Sequence, residues 1–298
     1  MKKILIWLLA FIITILAAYY QRRTGPTHPR RTDVTINNNH YELRLVRSLG
    51  LDERSEIKLG IRDTSIRASL YYKRFRTDDE YREVPFIYKT YPVNSFVMNR
   101  IFKMTEESGF FADIPPQPPA GKLQYYISIT DNLGTHTVLQ DQPVVIRFKG
   151  EVPSFVLLPH ILLMFIAMMF STGAGLAALF KIPEYKKYGL LTLILLTAGG
   201  MILGPVVQKY AFGAFWTGIP LGWDLTDNKT LIAFLFWIVA VVANRRGKRP
   251  QLTLLASVIL LLVYSIPHSM FGSELDYSTN RVIQGFIFIF LFRISKKS

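Results

Sequence analysis

The sequence predicts a multi-span α-helical membrane protein with an inserted all-β sandwich domain on one side of the membrane, and three observations lead there. The apolar residues of this 298-residue chain concentrate at residues 4–20 and from 153 onward. Between about 33 and 151 the pattern changes to short stretches of alternating polarity, separated by turn residues. The basic residues flank the apolar segments on one side if the chain alternates across a bilayer.

Six segments are candidate spans: Ile4–Tyr20, Pro153–Phe180, Tyr188–Val207, Leu231–Ala243, Leu252–Ile266 and Val282–Phe292. About 20 apolar residues cross a bilayer as a helix, so the last three need their uncharged flanks. None contains Lys, Arg, Asp or Glu. The net charge of +14 would suit nucleic acid, but its placement excludes that partner. Lys2, Lys3, Lys181, Lys186, Lys187, Arg245, Arg246, Lys248, Arg249, Arg293, Lys296 and Lys297 mark one face, the cytoplasmic one under the positive-inside rule. The expected topology is N-in and C-in, in a bacterial inner membrane, with the β domain extracytoplasmic. The short outer loops carry only Lys209, Lys229 and Arg281. The chain has no cysteine, so the outer domain must be stable without disulfides, and thiolate metal sites are excluded.

Taken in order, residues 1–20 read as an N-terminal anchor rather than a signal peptide, because the run is long and has no clear A-x-A site. Residues 21–32 are basic, contain two prolines and read as a linker. Residues 33–152 hold the β domain. Tyr41–Arg47, Glu56–Arg62 and Lys122–Thr130 alternate apolar and polar residues, the period of half-buried strands. Further strands are expected at Ile66–Lys73, Val84–Lys89, Asn94–Met104 and Thr135–Phe148, with a turn at Asp131–Gly134. About seven short strands argue for an antiparallel sandwich. His28, His40 and His136 have no metal-ligand spacing and read as surface or turn residues.

Residues 153–298 form the expected five-helix membrane domain. His160 lies near the outer end of the second span. A histidine there is either functional or snorkels to the headgroups, and position alone leaves both readings open. Met164, Met168 and Met169 read as helix packing. Gly199-Gly200 allows close helix approach, and Gly204-Pro205 is expected to kink the third span. His268 follows the fifth span at a similar depth to His160.

The loop Gly213–Thr230 lies on that same face and carries Trp216, Trp223, Asp224 and three glycines. Two neutral imidazoles from different helices can ligate a haem iron axially, aromatic rings can cover a porphyrin, and glycine lets backbone approach a flat ring. Lys209, Lys229 and Arg281 are candidate partners for propionates. Asp224 or Asp227 can instead cap the fourth span, and capping is the preferred role for Asp227. A non-haem metal at His160, His268, Asp224, Glu274 or Asp276 is a minor alternative, since no compact ligand motif is present.

Two resemblances add to this. Ile114-Pro115-Pro116-Gln117-Pro118-Pro119-Ala120-Gly121, followed by Tyr125-Tyr126, resembles the corner before the penultimate strand of immunoglobulin-like and fibronectin-type modules, which implies a spacer or docking domain. Ala211–Trp216, Trp223-Asp224 and Lys229–Val239 resemble the tryptophan-rich WWD loop and following helix of haem-handling membrane proteins of cytochrome c biogenesis. Pro159-His160-Ile161 and Ile266-Pro267-His268-Ser269 look like that family's two external histidines, and the similarity covers roughly residues 153–292. It implies an outer haem b ligated by His160 and His268, walled by Trp216 and Trp223, with Asp224 fixing the loop. The family's loop is tighter, whereas Thr217–Gly222 separates the two tryptophans here. Asn244 stands where synthase members have an inner histidine, and the extra spans of synthases are absent, so haem binding carries over better than synthase activity.

The resulting expectation is an integral membrane haem b protein acting in haem handling and cytochrome c maturation, or in electron transfer with a quinol or a periplasmic cytochrome. Its partners would be membrane lipid and a membrane-protein complex or that cytochrome. The alternative is a non-catalytic assembly protein whose sandwich docks a partner while the spans anchor it. A hydrolase or transferase has no nucleophile–base motif or phosphate loop to rest on.

Overall fold

The computed structural model describes residues 2–93, 96–103, 105–268 and 273–283. The chain forms a helical unit, chiefly residues 1–26 and 151–274, and a β unit, residues 27–150 with 275–281.

In the helical unit α1 spans Lys2–Thr24. No breaker occurs before Gly25-Pro26, so the helix runs past the expected end of the anchor, and Arg22 and Arg23 fall in its last turn, where the helix dipole favours cations. The expected linker is correspondingly shorter, because the first strand starts at Arg30.

The β unit begins with the antiparallel ribbon β1 (Arg30–Ile36) and β2 (Asn39–Leu45). Then follow β3 (Ser48–Gly50), β4 (Glu56–Leu59), β5 (Arg67–Arg74), β6 (Arg82–Pro85) and β7 (Ile87–Pro92). The short helix α2 (Phe96–Arg100) precedes β8 (Glu106–Asp113), β9 (Lys122–Asp131), β10 (Gly134–Val138) and β11 (Val144–Lys149). One sheet has the order β3-β11-β9-β5-β6 with β10 also on β9, and a second has the order β4-β8-β7. All pairs are antiparallel except β11 with β3.

The two-residue period of β9 explains its place. Leu123, Tyr125, Ile127 and Ile129 point into a core shared with Leu43, Leu59, Leu70 and Phe148, while Gln124, Tyr126 and Ser128 face outward. The buried Tyr125 hydroxyl donates to the Val46 carbonyl at 2.8 Å. The Asp131–Gly134 turn forms as expected: the Asp131 carboxylate accepts from the Leu133 and Gly134 N–H groups, and Gly134 has φ +143°.

Three strand expectations need correction. Val84–Lys89 is not one strand: β6 pairs with β5 and β7 with β8, so the chain changes sheets at the buried Phe86. Thr135–Phe148 splits into β10 and β11 around Leu139–Pro143, where Leu139 has φ +64° and Pro143 lacks a ladder donor. Within Asn94–Met104 the described residues form α2 rather than a strand.

Beyond residue 150 come α3 (Ser154–Leu179), α4 (Tyr185–Leu196), a π-helical stretch (Thr197–Leu203), α5 (Gly204–Phe212), α6 (Leu225–Arg245) and α7 (Pro250–Ser265), then the strand pair β12 (Glu274–Asp276) and β13 (Arg281–Ile283). Four helices are long and apolar enough to cross a membrane: 2–24, 154–179, the continuous 185–212, and 225–245; α7 is a shorter apolar helix. The expected sixth span lies outside the described residues from position 284 onward. The Gly204-Pro205 step does not act as a simple kink. Pro205 has no N–H to close an α-helical bond, and the preceding turns widen into the π stretch.

Neighbouring helices meet end to end in alternation. At one end Lys3 of α1 pairs with Glu184 before α4, and Asn244 near the C-terminus of α6 joins α4 and α7. The buried Asn244 carboxamide accepts from the Tyr185 hydroxyl and the Arg249 N–H, each at 2.9 Å, and donates to Ala240 and Arg249 carbonyls. At the other end Gln21 of α1 donates to the Tyr264 carbonyl of α7 at 2.7 Å. Asn244→Ala would leave these buried groups unpaired and is expected to lower stability by about 1–3 kcal/mol, read as an earlier thermal unfolding midpoint of the full chain in detergent.

Candidate functional site

The site is built where α6 starts. Asp224 is the N-cap of α6: its Oδ1 accepts from the Thr226 N–H at 2.8 Å and the Asp227 N–H at 3.3 Å. Of the two expected cap candidates Asp224 takes the role, and the capping expected of Asp227 is corrected. Asp227 turns back onto the loop, where its Oδ2 accepts from the Thr217 N–H at 2.6 Å and the Thr217 hydroxyl at 3.1 Å. Asn228 accepts from the Ile219 N–H at 2.7 Å, the Asp224 N–H donates to the Thr217 carbonyl at 3.0 Å, and Gln208 of α5 donates to the Thr217 hydroxyl.

These bonds explain the six residues between the tryptophans. Thr217–Gly222 folds onto the first turn of α6 and the end of α5 instead of hanging free. Gly218 is required there, because a Cβ would fall 2.7 Å from the Asp227 Cβ and 3.1 Å from the Trp216 ring. Gly213 terminates α5 with φ +89°. Gly218 thus serves packing and Gly213 the end of α5.

Between this loop, α1, α3, α5 and α7 lies a cavity of about 480 Å3, within the range of cofactor and small-molecule sites. His160 of α3 and His268 after α7 both line it, as do Trp216 and Asp224. The two imidazoles lie within electrostatic reach of each other and of Lys229. His160 Nδ1 is 2.8 Å from the Gly199 carbonyl in the π stretch. A carbonyl only accepts, so Nδ1 carries the proton and Nε2 keeps its lone pair. This is the arrangement by which metal-bound histidines are oriented.

The apolar wall includes Met164, Val207, Ala211 and Phe212, and Gly200 and Gly204 keep it open beside the π stretch. Arg22, Gln208 and Tyr264 add polar groups. The donor set lining the cavity is thus two imidazoles, an indole, an apolar wall and one guanidinium.

Some expected participants lie elsewhere. Trp223 is 55% exposed and does not line the cavity. Lys209, Lys229 and Arg281 do not line it either. Lys209 caps α5 through the Gly213 carbonyl at 2.7 Å, and the buried Lys229 donates to the Ile266 carbonyl at 2.5 Å, anchoring α6 to the segment that carries His268. Arg22 takes the place foreseen for a basic partner, and only its position in the last turn of α1 signals it. Among the described residues no group of three or more His, Asp or Glu could hold a bare metal ion. Asp276 is engaged by Ser278 and Thr279 in its own turn. Comparison with protein-family models, curated proteins and solved structures gave no match.

Asp227→Ala would release Thr217. Bonds to a charged acceptor contribute roughly 1.5–3 kcal/mol, so amide hydrogen exchange at Thr217 and Ile219 is expected to accelerate at least about tenfold while exchange within α6 beyond its first turn stays unchanged.

Proposed function

We propose that this chain is an integral membrane protein that binds haem b between His160 and His268, near the outer ends of its helices. The observation that carries the reading is that both imidazoles line one cavity, with His160 held in the tautomer that leaves Nε2 free to ligate. Trp216 walls the site, Asp224 holds the loop by capping α6, and Arg22 supplies a positive charge for a propionate. Trp223 drops out of the expected set because it lies outside the cavity.

Haem held by His160 and His268 would supply a one-electron couple, and ligation by both imidazoles would leave no position for oxygen. The chain's own contribution is orientation. Gly199 fixes one imidazole, Lys229 pins the segment bearing the other, and Asp227 fastens the loop that carries Trp216. This favours electron transfer with a quinol or a periplasmic cytochrome, or haem handling in cytochrome c maturation, in keeping with the resemblance to WWD-type proteins.

Six spans with both termini cytoplasmic remain our reading of the charge pattern, with the inner membrane of a bacterium as the location. The Ile114–Gly121 corner before β9 and the buried Tyr125 support an immunoglobulin-like reading of the β unit, which would serve as a spacer or a dock for the partner.

Purified protein expressed with ample haem is expected to show a Soret band at stoichiometric haem content. His160→Ala and His268→Ala should each lower that content and the double variant should abolish it, whereas Trp223→Phe should leave it unchanged. Haem content unaffected in the double variant, or no Soret band in the parent protein, would refute the reading and leave the helices as an anchor for a docking domain.

A further inference from the structure

A second cavity lies at the opposite, basic end of the helical unit. It has a volume of about 290 Å3 and sits among the start of α4, the end of α6 and the start of α7. Its rim carries Lys186, Lys187 and Arg245, all exposed. Its interior is apolar, formed by Gly189, Leu190, Ala240 and Val241. The same end also bears Lys2, Lys3, Lys181, Arg246, Lys248 and Arg249, and Glu184 is the single acidic residue in 180–190 and 240–250.

Trp237 is fully buried and closes the cavity from behind, with the edge of its six-membered ring against Gly189. The indole is held in place by Gly189, where a Cβ would lie 3.0 Å from its ring. Asn244 and Tyr185, which also line the cavity, are already bonded to each other and to the α6–α7 turn, so the wall is preorganised.

We infer that this cavity is a binding site for an anionic glycerophospholipid, with the phosphate at the Lys187 and Arg245 rim and the glycerol or acyl region against the apolar wall of Leu190 and Val241. Lys186 is committed to the Asn244 and Gly247 carbonyls at 2.8 and 2.7 Å, so it shapes the rim and adds charge. Basic pockets between spanning helices on the cytoplasmic side recognise anionic headgroups. The order of chemistry, cationic rim and then apolar depth, matches a lipid entering from the bilayer; a free phosphate would have no use for the apolar part. The inference rests on the membrane reading of the helices and is independent of haem.

Thermal unfolding of the full-length protein in neutral detergent tests it, with phosphatidylglycerol, phosphatidylcholine or inorganic phosphate added in turn. Phosphatidylglycerol at saturating level is expected to raise the midpoint by about 4 °C. Lys187→Gln/Arg245→Gln, which alters only exposed side chains, should remove that shift without changing the midpoint in detergent alone. Equal protection by phosphatidylcholine, or a shift that survives in the double variant, would overturn the site. Equal protection by inorganic phosphate would overturn the lipid as its ligand. Haem content, read on the same samples, should not change in this variant, which separates failure here from failure of the haem reading.

Discussion

The bond from the His160 imidazole to the Gly199 carbonyl ties α3 to the π-helical stretch, and the candidate site is arranged around it. The π stretch exists because Pro205 removes a helical donor just beyond it, and glycines at 199, 200 and 204 let the wider turn pack against α3. A Cβ on Gly199 would come within 2.9 Å of the Leu163 Cβ and 3.3 Å of the Met164 N, so only glycine allows this approach. One proline and three glycines thereby set the tautomer of a histidine on a neighbouring helix.

The two carboxylates of the loop divide their work in a way that supports this geometry. Asp224 satisfies the first free N–H groups of α6, and Asp227 holds Thr217, so the loop is fastened at both its start and its end. Lys229, one turn into α6, pins Ile266 and hence the approach to His268. A short stretch of sequence, Asp224 to Lys229, thus positions the loop and, through Ile266, the second imidazole.

Much of this was legible in the sequence. Three of the four long helices follow from uncharged runs near bilayer length, β9 and its neighbours from strict alternation, and the Asp131–Gly134 turn from its residues. That His160 and His268 line one cavity accords with counting helix ends. What stayed hidden depends on contacts without a local period. The sheet change at Phe86 is set by the register of β6 and β7 against different strands. Tyr277 joins the β unit through bonds to the Lys122 backbone, 155 residues away. Trp216 and Trp223 look equivalent as residues, yet the fold of Thr217–Gly222 sends one into the cavity and leaves the other exposed. Asn244 looked like a missing histidine and proved to be a hydrogen-bonding hub between helices.

The central claim is that His160 and His268 act together on one ligand. The electron paramagnetic resonance spectrum of the purified ferric protein tests it most directly. A low-spin signal of two imidazole ligands, converting to high spin in His268→Ala, is the predicted result; a high-spin signal in the parent protein, or a low-spin signal that persists in His268→Ala, would contradict it.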